Sequence, residues 1–417
     1  MAYATYRALS SMLWFAAGPW LAWRRASGGT EWRERLGELP RSTDRPVWVH
    51  AASVGEVAAA EPVVRELVSR GREVLLTTMT PTGQRAAEQR LGDIARTAFV
   101  PLDAVPAVRR ALGRVRPRSL VLVESELWPN LMAEAEDAGV PVGLVNARLS
   151  GRALARARAP LSPVRDAVLR LTAVACRDTV NAERFRVVGV PDGRISVTGD
   201  TKFDTLPGLL SDGERTALRK SLGSEGGRPC VVFGSVRPRE ESAIADVVSS
   251  LSGDARVLVA PRHMRRVAPI QRRLEGVGVK VVRRSSGAVP DGDGVVLVDT
   301  TGELARLYAA GDVAFVGGTL GGYGGHNPLE PAARGVPVVF GPDTRSCASA
   351  ARALVEGGGA VEVSGRDELR EEIERILADD RLRSGMSSAA LAVVKKGRGA
   401  ARRSVDALAD AGLLEER

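Results

Sequence analysis

The chain has 417 residues, enough for two domains at roughly 100–200 residues each. Its 44% hydrophobic and 26% charged content excludes a largely disordered chain and a polytopic membrane protein. Lysine plus arginine (59) exceed aspartate plus glutamate (50) by nine, which favours acidic partners or anionic membranes; only five of these cations are lysines.

Residues 8–23, ALSSMLWFAAGPWLAW, are uncharged between Arg7 and Arg24-Arg25. These 16 residues fall short of the roughly 20 that a membrane-crossing helix needs, and no cleavage site for a signal peptide follows. Three tryptophans, a phenylalanine and flanking arginines suit an interfacial anchor, an apolar N-terminal membrane-associating helix. From residue 47, short apolar runs at 47–50, 74–77, 120–123, 142–145, 173–176 and 195–198 read as buried strands. Helical stretches such as 57–69 and 106–115 separate them. The pattern pauses at 205–208, and Ser211 with Glu214 resembles a capping box that opens a helix. It resumes with runs at 230–233, 257–259, 279–282, 295–298, 313–316, 336–340 and 360–363.

Alternating strands and helices predict parallel sheets covered on both faces. The fold class expected is therefore α/β, two Rossmann-like domains facing a central cleft, with ligands at the carboxyl ends of the strands. The divisions expected are 1–41 (apolar and basic, membrane-associating), 42–206 and 207–382 (the two Rossmann-like domains) and 383–417. The last is a helical stretch, 383–413, crossing back to the first domain. Cys176, Cys230 and Cys347 are sparse and lack CxxC spacing, which fits a reducing compartment and no zinc site.

The chemistry-bearing residues gather where these strands end. His50 closes the first run, and Ser53, Gly55 and Glu56 open the following helix. A carboxylate there is stabilised by the helix dipole and could take a proton from a substrate hydroxyl; it could equally serve as a cap. Glu124 and Glu126 share a face if their strand continues. Asn146 and Arg148 follow the next run, and Lys202 sits at a Gly turn suited to contacting an anion. Residues 315–342 run from a strand through six loop glycines to a helix start at Asn327-Pro328. Backbone N–H groups near Gly325 suit a phosphate, and Glu330 suits ribose hydroxyls. No GxGxxG follows the first strand, which argues against a dehydrogenase. Asp291-Gly-Asp293 reads as a solvated turn rather than a metal motif.

Taken in order, RERLGE (33–38), HAASVGE (50–56), TTMTPTGQ (77–84), ESELWPNL (124–131), NARLSGR (146–152), TGDTKFD (198–204), PRH (261–263), DTTGELARLY (299–308) and GGHNPLEP (324–331) resemble the Kdo transferases of lipopolysaccharide assembly. These are glycosyltransferases of the GT-B type; the resemblance covers nearly the whole chain and implies that 42–206 is the acceptor-binding domain and 207–382 the CMP-sugar-binding domain. It implies transfer of Kdo, an acidic sugar, from CMP-Kdo to a hydroxyl of a lipid A precursor at the cytoplasmic face of the inner membrane. It also implies Glu56 as general base, Glu124 as a second catalytic residue, and Arg262, Asn327 and Glu330 in the CMP-binding half. The base would act opposite the leaving CMP, inverting configuration. Lys202, Arg262 and amides near Gly325 would balance one phosphate without a metal or other cofactor. Where the family commonly has Gly-Ser-Thr-His-x-Gly-Glu-Glu, this chain reads Gly234-Ser-Val-Arg-Pro-Arg-Glu-Glu241, so the histidine is lost and Arg237 or Arg239 is available in its place. The runner-up is a GT-B transferase for another CMP-linked acidic sugar or a different lipid acceptor. A nucleotide-sugar epimerase is disfavoured by the apolar N-terminus. Nucleic-acid binding is disfavoured by 4% aromatics and the absence of a recognised motif.

Overall fold

The computed structural model describes residues 2–42, 44–159, 162–290 and 292–415, so Asp291 of the Asp-Gly-Asp turn lies outside the described residues. The chain divides into two compact units, Met1–Thr205 with Gly397–Arg417, and Leu206–Lys396.

The first unit is built on β1 (Val47–His50), β2 (Val74–Thr78), β3 (Arg96–Phe99), β4 (Ser119–Val123), β5 (Val142–Ala147), β6 (Ala173–Cys176) and β7 (Ile195–Val197). Their order is β3-β2-β1-β4-β5-β6-β7, with parallel pairing throughout. Both faces are covered, which is why the strands are continuous apolar runs. Trp48, Leu120, Leu122 and Leu144 pack into one core, while Val47, Val49, Val121 and Val123 pack into the other.

The second unit repeats the plan with β8 (Cys230–Val236), β9 (Arg256–Pro261), β10 (Val281–Arg283), β11 (Val295–Leu297), β12 (Val313–Val316), β13 (Val338–Phe340) and β14 (Ala360–Glu362). The order here is β10-β11-β9-β8-β12-β13-β14, again parallel. In each sheet the chain starts centrally, builds to one side, then crosses to the other. The switch points lie between β1 and β4 and between β8 and β12.

Three local readings change. Strand β3 has no counterpart among the expected runs, because it is an edge strand whose Arg96 is exposed. The 383–413 stretch is two helices, Asp380–Gly397 and Ala400–Asp410, broken at Gly399 with φ +83°. The first buries Met386 and Val394, and the second places Ala401, Val405 and Leu408 in a core of the first unit. Residues 8–23 also form parts of two helices, Ala2–Ala16 and Gly18–Ser27, with Pro19 in the first turn of the second. Among the described residues no helix is long and apolar enough to cross a membrane.

Candidate active site

At the β1/β4 switch point the structure gathers carboxylates. Helix Val54–Ser69 starts at Ser53, whose backbone N–H (3.0 Å) and hydroxyl (3.2 Å) both donate to Glu56. The side chain thus closes its own helix turn while remaining half-buried. Burial, then the charge of Glu126 and more weakly that of Glu124, push the Glu56 carboxyl up to about 7 against the opposing Ser53 hydrogen bonds.

Glu126 behaves oppositely. Burial works to raise it, but interactions with His50 and the Trp128 indole, which donates at 2.9 Å, hold it below the ordinary carboxylate range. His50 is fully buried, its Nδ1 lying 3.1 Å from the Thr77 carbonyl and its ring edge-on to Trp128. Its Nε2 lies 3.8 Å from Glu126, beyond hydrogen-bond distance, and has no hydrogen-bond partner.

Glu124 and Asn146 occupy the left-handed region, at φ +59° and +50°. For non-glycine residues this costs roughly 1–3 kcal/mol each, and such strain concentrates at functional sites. The ladder holds it in place: Glu124 N–H donates to Val145 and Arg148 N–H donates to Glu124, both at 3.0 Å. The buried Glu124 carboxylate accepts from the Lys202 ammonium at 2.6 Å and more weakly from Asn146 at 3.5 Å. Asn146 in turn accepts from Thr201 N–H at 3.2 Å, fixing the turn that carries Lys202.

In the second unit, the ends of β9, β8 and β12 are neighbours and carry a cationic cluster. Buried Glu240 organises it, accepting from the N–H groups of Gly318 (2.6 Å) and Arg237 (2.8 Å). This pins the Gly-rich loop after β12 to the turn after β8. Gly325 has φ +78° with the Asp343 carbonyl and Thr319 methyl against it, so a side chain there would be both strained and crowded. Arg262 and His263 follow β9, and His326 follows the loop. Asn327 Oδ1 accepts from Leu329 N–H at 3.2 Å. Burial raises the Glu330 carboxyl, opposed by Arg262 and by Asn327.

His50, Ser53, Glu56, Glu124, Asn146, Arg148 and Lys202 therefore meet at strand ends of the first unit, with Gly55 exposed on the first helix turn. Arg262, Gly325, Asn327 and Glu330 gather in the second. Lys202, expected among the donor contacts, lies in the first unit against Glu124. Glu126 and Glu124 do not share a strand face, since β4 ends at Val123; Glu126 joins the cluster through Trp128 and His50. Sequence reasoning missed Glu240, whose signal is an acidic residue just after the first strand of the second unit.

The family described as 3-deoxy-D-manno-octulosonic-acid transferase (kdotransferase) matches residues 30–205. The chain is 34% identical to the 3-deoxy-D-manno-octulosonic acid transferase of Bordetella pertussis, covering 97% of each chain. It is 33% identical to that of Haemophilus influenzae, over 87% of this chain and 86% of the relative. The UDP-GlcNAc 2-epimerase structure from Neisseria meningitidis superposes with a TM-score of 0.63 at 14% identity, covering 88% of this chain and 100% of that one. That likeness is one of fold alone: a two-domain α/β architecture consistent with GT-B.

Proposed function

Because the chain belongs to the Kdo transferase family, and so is a glycosyltransferase related to the enzymes that use CMP-linked Kdo, we propose that it transfers Kdo from CMP-Kdo to a hydroxyl of a lipid A precursor with inversion. The observation that carries the mechanism is Glu56, a helix-start carboxylate pushed up to about 7 by burial and by Glu126 and Glu124. Near neutral pH it is basic enough to accept a hydroxyl proton, yet still ionised in part. The acceptor oxygen forms its bond to the anomeric carbon as the bond to CMP breaks, and the hydroxyl proton passes to Glu56. Glu124, paired with the Lys202 ammonium at 2.6 Å, stands beside the base and orients the strand ends. In the donor half, Arg262, His326 and the amides around Gly325 face the single phosphate, with Asn327 and Glu330 toward the sugar hydroxyls. No metal ion is needed in this scheme, because cations of the chain balance one phosphate.

The N-terminal helices support docking at an anionic membrane on the cytoplasmic face of the inner membrane. Met12, Leu13 and Phe15 are 67%, 69% and 73% exposed, and Trp20 and Trp23 are also exposed. Arg24 stacks 4.3 Å from the Trp32 ring, setting positive charge beside this apolar face.

The test is incubation with CMP-Kdo and a lipid A precursor in the presence of a chelator, read by product mass. Addition of one or more Kdo units is expected. Transfer from a different CMP-linked acidic sugar, with none from CMP-Kdo, would favour the runner-up reading.

A further inference from the structure

The turn after β8 carries Arg237, and its surroundings are unusual. The half-buried guanidinium lies 4.5 Å from the Tyr323 ring centroid, and its Nε is buried without a hydrogen-bond partner. Its Nη1 lies 2.6 Å from Nε2 of His263. A guanidinium only donates, so that nitrogen must be the acceptor. An imidazolium has no lone pair to offer, and His263 is therefore neutral, with its proton on Nδ1, for as long as the contact lasts.

A second imidazole repeats the theme. His326 Nε2 is buried and unpartnered. Burial first, then Arg262, Arg237 and His263, bring this ring down to about 4. His263 is lowered by burial and by Arg237, Arg262 and Arg265. Carboxylates supply little compensation. Glu240 is occupied by backbone N–H groups, and Glu330 faces Arg262. Arg239, 5.8 Å from the Tyr323 ring, adds further positive charge. The cluster thus holds several cations, two neutral rings and two buried nitrogens that lack a partner.

We propose that Arg237 and His263 form a proton-linked anion pocket: an incoming phosphate takes over the Arg237 guanidinium, and the freed His263 Nε2 gains a proton from solvent and becomes a second donor. No covalent bond changes; one proton moves from water to the ring for each anion bound. The pocket's ligand is a phosphate ester, which rests on the reading of this unit as the CMP-sugar half. The arrangement makes affinity for the anion rise as pH falls toward the range where imidazole protonates, while the uncharged part of the ligand is indifferent to pH.

The experiment is calorimetric titration of the full chain at pH 7.5 in buffers of different ionisation enthalpy, with CMP, cytidine and inorganic phosphate as probes. Wild type is expected to take up a proton on binding CMP. Arg237→Met should weaken CMP by about tenfold or more, the scale of a lost charged hydrogen bond. It should leave cytidine unchanged, which also verifies folding, and remove most of the proton uptake. His263→Asn should lose the uptake with a smaller loss of affinity. Unchanged CMP affinity and proton count in Arg237→Met would overturn the pocket while leaving the donor half intact. Phosphate binding that depends on Arg237, in a protein blind to CMP, would uphold the pocket and overturn the donor reading. Failure to bind either probe would overturn both.

Discussion

At Glu56 one carboxylate closes a helix turn and sits beside two further carboxylates, so its proton is held up to about 7. A general base works only when deprotonated, so kcat/KM should fall about tenfold per pH unit below about 7. Glu126→Gln removes the larger of the two repulsive charges. The acid limb should therefore move to lower pH while the helix cap on Ser53 persists; an unmoved limb would detach Glu126 from the base. The strand-end positions of Glu56, Glu124 and Lys202 were legible from apolar runs and the residues that follow them. The partner of Lys202 was not, because its carboxylate lies 78 residues earlier in the chain and only the sheet order brings them together. Glu126 was misjudged for a local reason: the positive φ of Glu124 ends the strand, and nothing in a period-two pattern signals that.

Among the elements, central strands were readable because burial on both faces makes them continuous apolar runs, whereas edge strand β3 keeps Arg96 in solvent and lacks that signature. The C-terminal stretch has helical periodicity on both sides of Gly399, and the break depends on a contact made far away. Asp204 accepts from the N–H groups of Gly399 and Ala401, the latter at 2.7 Å, capping helix Ala400–Asp410 as it packs on the first unit. Removing an N-terminal cap costs about 1–2 kcal/mol. Asp204→Ala should lower the unfolding free energy of the first unit, read from its urea titration, by that amount and shift the midpoint down accordingly, with Asp204→Asn milder. An unchanged midpoint would mean that burial of Val405 and Leu408 alone holds this helix.

Over the whole molecule, the proposed membrane docking draws on the net charge of +9 and on the exposed apolar side chains of the N-terminal helices. Leu13→Glu combined with Phe15→Glu should markedly reduce co-sedimentation with anionic vesicles and slow turnover on membrane-embedded acceptor, but not on detergent-dispersed acceptor. Equal sedimentation of both proteins would place membrane contact elsewhere. The repeated α/β order and both strand-end clusters could be read from the sequence. The break between the two N-terminal helices at Ala17 is also signalled there, by the Gly18-Pro19 pair inside the apolar run. What needed three dimensions was charge: which cations pair with carboxylates, as Lys202 does with Glu124, and which lie against rings, as Arg237 does against Tyr323. The central claim is that Glu56 removes the acceptor proton, and single-turnover transfer with prebound CMP-Kdo compares wild type and Glu56→Gln most directly. A loss of about 10²- to 10⁴-fold in the transfer step is expected, with CMP affinity unchanged. Transfer at the wild-type rate would contradict it and leave Glu56 as a helix cap.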